Sequence, residues 1–242
     1  MRYNGVEVRS IHRAIRIGHQ APPGRSREHM AIETGRGSIT AGWLDNPMEL
    51  TATVSIAGRS PEEGEEAYLA LCSWARGDGG THPLEPTYLP GMAYDAALKE
   101  ITQPDWRRGF GTAEVTWLIA NPHPYSIVQD SAAIRSGTEL NFRVGGTAET
   151  ELQIEVSPER TQSSLTLQMD GVPFFRWLGT VSAGSTLRID MAKGVVTINN
   201  QAANGVPDVT VTNYDLPLAP GAHKLTCGAT GAIGARWHKR WA

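Results

Sequence analysis

From Glu151 onward the sequence is one short alternating run after another. "ELQIEVS", "SSLTLQM", "TLRIDM", "GVVTIN", "DVTVTN" and "HKLTCG" alternate polar and apolar residues, and "VPFFRWL" runs nearly apolar. Successive side chains of a strand point to opposite faces, so a period of two fits a sheet with one buried face. "TLRIDMAKGVVTINN" is the clearest case: two alternating runs joined at Ala192, Lys193 and Gly194 predict a β-hairpin. Turn residues separate the runs at short intervals, and no helical period interrupts them. This half of the chain is expected to be an antiparallel β-sandwich.

The first half is mixed. Residues 1–18 alternate loosely through Val6, Val8, Ile11, Ile15 and Ile17 and predict one or two strands. "HQAPPGRSREHM" predicts a loop, because Pro22, Pro23 and Gly24 exclude regular structure, and "ETGRGSIT" predicts a turn. "MELTATVSIAG" sets Leu50, Ala52, Val54 and Ile56 against Thr51, Thr53 and Ser55. One helix is expected after it. Ser60 is its N-cap, Pro61 its first residue, and Glu63 completes a capping box. Ala67, Leu71 and Trp74 share a face with Ala70 beside them, and Gly77, Gly79 and Gly80 end it. "LEPTYLPG" predicts a loop and "MAYDAALKEIT" a strand. "GTAEVTWLIANPHPYS" puts Ala113, Val115, Trp117 and Ile119 on one face before Pro122.

The prolines of "NPHPYS" place a division near Ile127, between a domain at 1–126 and another at 127–242. The charge counts support that division: the first segment carries 12 basic and 15 acidic groups and the second 10 and 10. A net charge of -3 argues against a general nucleic-acid binder. Arg outnumbers Lys 18 to 4, which suits interfaces and equally reflects codon bias. The first 36 residues hold seven Arg against three Glu, for interface contacts, to face an acidic partner, or equally as a scattered solvated surface. Cys72 and Cys227 lie far apart and predict small buried hydrophobes, not a disulfide scaffold or a zinc site. No signal peptide is visible, and "AYLALCSWA" is too short to span a bilayer.

Chemistry is sparse. There is no GxSxG, Walker, HExxH or dinucleotide motif. Glu62, Glu63, Glu65 and Glu66 are explained by the positive end of a helix dipole. His123 lies between prolines with no nucleophile marked beside it. Glu139, Glu155, Asp170 and Asp190 are the carboxylates a glycosidase would draw on, but Asp170 and Asp190 precede turns and are expected to bond nearby backbone N–H groups. Alternation places Phe175 and Trp177 on one face and Phe174 on the other, as core or as a sugar-stacking platform, with core the simpler reading. No catalytic, cofactor-binding or metal-binding residue is expected, and no enzyme.

Three segments taken in order resemble the siphophage distal tail protein family. The first and weakest is "ETGRGSIT", similar to that family's early Gly-Arg-Gly loop. The second is "EVTWLIANPHPYS", similar to the strand that closes its first domain. The third is the C-terminal run: Ile189-Asp190, the Lys193-Gly194 turn, "VVTINN", the turn at Leu218, Ala219, Pro220 and Gly221, and the tail with Arg236, Trp237, Arg240 and Trp241. The first 33 residues match least well.

The resemblance implies a mainly β protein: an N-terminal β domain with one α-helix that forms a ring, then a C-terminal antiparallel β-sandwich like galectins and carbohydrate-binding modules. It implies a structural, non-catalytic component of the tail tip or baseplate, from a phage or prophage. The expected partners are itself, as a homohexamer, the tail tube protein, the tail-tip hub protein and receptor-binding proteins. No nucleic-acid specificity, membrane insertion or cofactor is implied. The expected location is the virion tail tip, with host cytoplasm during assembly. Each domain is too short for the extra carbohydrate-binding insertion of some members. The alternative is a carbohydrate-binding module using aromatics such as Trp177.

Overall fold

A computed structural model describes residues 1–20, 22–34, 37–203 and 205–242, with residues 19, 29–34 and 37–44 described by backbone alone. The chain forms two compact units, Met1–Tyr125 and Ser126–Ala242.

The first unit begins with β1 (Arg2–Tyr3) and β2 (Val6–Glu7), followed by α1 (Val8–Ile11) and β3 (Ile15–Gln20). Next come β4 (Arg27–Thr34), β5 (Gly37–Asp45), β6 (Met48–Ala57) and α2 (Pro61–Arg76). Then follow β7 (His82–Glu85), β8 (Met92–Ile101) and β9 (Phe110–Ile119). A two-residue strand, β10 (Tyr125–Ser126), lies at the junction. The main antiparallel sheet runs β2-β1-β7-β8-β9-β6-β3, while β4 and β5 pair with each other as a separate hairpin. The expected faces are present: Leu50, Ala52, Val54 and Ile56 on β6, and Ala113, Val115, Trp117 and Ile119 on β9, are all buried.

Helix α2 lies against that face through Ala67, Leu71, Trp74 and Ala75. The Ser60 side chain accepts the Glu63 amide at 3.3 Å, as an N-cap should. The Glu63 carboxylate reaches one residue further back than a capping box requires, to the Arg59 amide at 2.7 Å, and also accepts Arg13 Nε at 2.8 Å. Gly77, with φ 53, ends the helix. Trp74, Tyr3 and Trp117 meet pairwise with ring centroids 5.9 Å apart. Trp74 Nε1 donates to the Val6 carbonyl at 3.0 Å.

Three expectations for this unit need correction. Val8–Ile11 is a helical turn, not strand. The Asn4-Gly5 pair (φ 49 and 75) has already turned the chain between β1 and β2, and Val8 and Ile11, three apart, both face the core. The proline-rich loop is confined to its middle, since Gln20 ends β3 and Arg27 begins β4. The first two residues of "LEPTYLPG" belong to β7. The tip of "ETGRGSIT", Gly35-Arg36, lies outside the described residues, and the flanking residues are paired strands.

The second unit is an antiparallel β-sandwich. Its strands are β11 (Asp130–Val144), β12 (Leu152–Pro158), β13 (Gln162–Met169), β14 (Val172–Val181) and β15 (Leu187–Asp190). They continue with β16 (Val195–Ile198), β17 (Gln201–Ala202), β18 (Val206–Pro207) and β19 (Gly221–Trp237). The two long strands, β11 and β19, pair along their whole length and run through both layers. Gly231–Trp237 of β19 pair β12, which leads to β15, β16 and β17, while Leu225–Cys227 pair β13, which leads to β14 and β18. The switch occurs where the β11–β19 register shifts around Gly137, opposite Gly231. A bulge bends a strand locally, and glycine permits the close approach. Both inner faces merge into one core that includes Ile154, Leu167, Phe175, Trp177, Ile189 and Ile233.

Here too the structure departs from the alternation. Phe174 is buried along with Phe175 and Trp177, because Leu167 pairs Phe175 while Gln168 pairs Pro173, leaving Phe174 as the extra residue of a bulge. "DVTVTN" is a turn, because the Asp208 carboxylate accepts both the amide and the hydroxyl of Thr210, at 3.0 and 2.6 Å. Strand β11 is marked by none of the runs in the sequence; only Leu140, Phe142 and Val144 of it are buried.

Candidate functional site

The predicted aromatics are structural. Phe174, Phe175 and Trp177 are 2, 0 and 1% exposed, so their ring faces are spent on the core and none offers a sugar platform.

The four carboxylates are each engaged separately. Asp190 accepts the Lys193 amide at 3.1 Å, a turn bond as expected, and Gln153 Nε2 at 3.2 Å. Asp170 does sit in a turn, with φ 51, but its oxygens bind the neighbouring strand: Lys224 N at 2.8 Å and His223 Nδ1 at 2.8 Å. Burial pushes this carboxyl up, but the His223 and Lys224 hydrogen bonds outweigh it and hold it below the usual range. Glu139 pairs Lys224 Nζ at 3.1 Å. Glu155 Oε1 lies 2.8 Å from Arg188 and 3.5 Å from Arg236.

Beside Glu155 is a polar recess of about 300 Å³ whose other lining residues are Thr186, Arg188, Asn199 and Asn200. Its walls bond one another. Asn200 Oδ1 accepts Arg188 Nη1 at 2.8 Å, and Asn199 Oδ1 accepts the Thr186 amide at 2.9 Å. No aromatic ring lines it, so it lacks the stacking surface that a sugar site uses.

Three histidines tie chain segments together. His223 uses both ring nitrogens, one on Asp170 and the other 2.7 Å from the Ala219 carbonyl, which leaves neither for proton transfer. His82 Nε2 lies 2.6 Å from Asp78 and edge-on to Tyr3. His123 Nε2 lies 3.0 Å from Asp45 Oδ2, whose other oxygen accepts Arg27 Nε. The Arg27 hydrogen bond, with His123 adding to it, holds Asp45 below the usual carboxylate range. Alternation could not find this pair, since its members are far apart in sequence. Both cysteines are free; Cys227 is buried, which pushes its thiol up, and Cys72 is half-buried. Among the described residues no His, Cys, Asp and Glu group has the makings of a metal site, and no helix is long and apolar enough to cross a membrane.

Residues 145–241, most of the second unit, match the family model described as siphovirus-type tail component, C-terminal domain. That match lies entirely within the second unit. The whole chain shares its fold with chains of solved phage structures. The crystal structure of the phage SPP1 Dit (gp 19.1) protein, described as a paradigm of hub adsorption apparatus in phages infecting Gram-positive hosts, is 12% identical. It aligns over 99% of this chain and 98% of that one, with a TM-score of 0.73. Chains of the phage p2 baseplate, in its activated conformation with Sr or with Ca, are 9% identical and align over 93% of this chain and 90% of theirs, with TM-scores of 0.60 and 0.55. No curated protein matches the chain. The tail-component domain fits the anchors read at Lys193-Gly194, Leu218–Gly221 and Trp237, all of which lie inside it.

Proposed function

We propose that this protein is a structural distal tail protein of a siphophage or prophage. In this reading the first unit closes into a hexameric ring that links the tail tube to the tail-tip hub, and the second unit is carried outside it. The observation that carries the reading is the tail-component match over residues 145–241. The likeness to the SPP1 Dit fold over 99% of the chain supports extending it to the first unit.

The physical case for a ring is the open sheet. Among the described residues it ends in β2 and β3, each paired on one side only. An uncovered edge invites uncontrolled pairing, and a head-to-tail interface whose rotation closes covers every edge with a neighbour. No step of this role requires a catalytic group. The protein would act in the virion, at the tail tip, after assembly in host cytoplasm, and hub and receptor-binding proteins would dock on the ring.

Light scattering and negative-stain imaging of the purified protein, with antibody labelling of intact tails, test this. Rings and tail-tip label are expected. A strict monomer that never enters tail particles overturns it.

A further inference from the structure

The hairpin β4–β5 has strands of eight and nine residues, so each is about 27 Å or more in length at ~3.3 Å per residue. Within the described residues these strands pair with each other and with no other strand. A two-stranded hairpin holds its own position weakly, so what fixes its base decides where it points. At that base the Asn46 amide donates to the Ser26 carbonyl at 3.0 Å, and Asp45 accepts Arg27 Nε. The second oxygen of Asp45 takes His123, 3.0 Å away. His123 belongs to the segment that runs from β9 to the start of the second unit.

That segment is stiff. Pro122 and Pro124 fix their own φ angles and restrict the residue before each. The Asn121 side chain accepts the His123 amide at 3.0 Å, closing a local turn. Two residues on, Tyr125 is buried and its hydroxyl donates to Asp95 on β8 at 2.9 Å. The Tyr125 hydroxyl, with the pairing of β10 to β8, therefore holds the segment to the sheet, and His123 holds it to the hairpin. Both members of the His123–Asp45 pair are sheltered, with side chains 23 and 26% exposed.

We propose that Asn121–Tyr125 is a strap that couples the seating of the β4–β5 hairpin to the chain entering the second unit. Tyr125 anchors the strap on the sheet, and His123 joins it to the hairpin base through Asp45. A partner that moves the hairpin then pulls on a rigid five-residue segment, and displacing that segment loosens the hairpin. The coupling does not depend on the ring reading.

Hydrogen–deuterium exchange on the full chain tests it. His123→Ala, a change in the strap, should speed exchange in peptides covering residues 22–47 by about two- to fivefold, the scale of one sheltered charged contact. Exchange in β6 and β9 should be unchanged. Asp45→Asn should speed exchange in both the hairpin and residues 120–126, and combining it with His123→Ala should add nothing there. Tyr125→Phe should loosen residues 120–126 and, through the intact His123–Asp45 contact, speed hairpin exchange by less than His123→Ala does. Hairpin exchange that is unaltered by His123→Ala, or that stays unaltered in Tyr125→Phe although residues 120–126 loosen, overturns the strap.

Discussion

Gly231 on β19 faces the backbone of Ser157 on β12 so closely that a Cβ added there would lie 2.2 Å from the Ser157 carbonyl oxygen and 2.7 Å from Pro158 Cα. On its other side Gly231 pairs Gly137 of β11. Three strands converge at this point, where the sandwich passes from one layer to the other. Gly231→Ala must push backbone against backbone and should destabilise the second unit by about 1–3 kcal/mol, the range for forcing atoms into a filled site. Thermal melts check this; an unchanged midpoint would mean that the strands separate there at little cost.

Trp74 and Trp177 anchor the two cores separately. Trp74→Ala empties a site enclosed by Tyr3 and Trp117 and leaves the Val6 carbonyl without its donor. Trp177→Ala empties the centre of the sandwich. Each should cost about 3–5 kcal/mol. Under the proposed function, Trp74→Ala should also impair ring formation, while Trp177→Ala leaves it to the first unit. A Trp74→Ala protein that melts normally and still forms rings contradicts both the packing and the role given to the helix.

The second unit has its own core, and we expect residues 126–242 to fold alone. Ser126 belongs in the fragment because its amide donates to the Lys239 carbonyl at 2.9 Å and its hydroxyl accepts the Lys239 amide at 3.1 Å. Cys227, 2% exposed, is a built-in reporter. Its thiol should resist a water-soluble thiol reagent in the native fragment and react in denaturant with the same midpoint as circular dichroism. Immediate labelling would show that the isolated sandwich is not packed.

Acid should weaken the fold through specific carboxylates. The Arg59 amide, then Arg13, holds Glu63 below its ordinary 4.5, and Arg27, then His123, holds Asp45 below 3.8. A carboxyl lowered on folding binds fewer protons folded than unfolded, so its contribution is complete above the ordinary value. It is lost as pH falls through the folded one. Urea midpoints should be flat above about pH 5 and decline below it. Glu63→Gln should flatten the decline for the first unit. A midpoint that rises on acidification has the wrong sign.

Much of this protein was legible from chain-local physics. The inward sets Leu50–Ile56 on β6 and Leu152–Val156 on β12 follow from the geometry of a strand, which sends alternate side chains to opposite faces wherever it lies. The limits of α2 follow from Ser60, Pro61 and Gly77, whose effects reach only a few residues. The tertiary structure decided what depends on partners distant in sequence. Phe174 is buried because a bulge against β13 inserts it, and "DVTVTN" is a turn because Asp208 captures Thr210 while its own amide is held by the Arg176 carbonyl. β11 is a strand because β19 lies beside it for its full length. His123 meets Asp45 across 78 positions of sequence. Alternation states which face of a strand is apolar; it carries no information about which strand lies alongside or in what register. Those are set by long-range backbone hydrogen bonds and by the filling of a shared core.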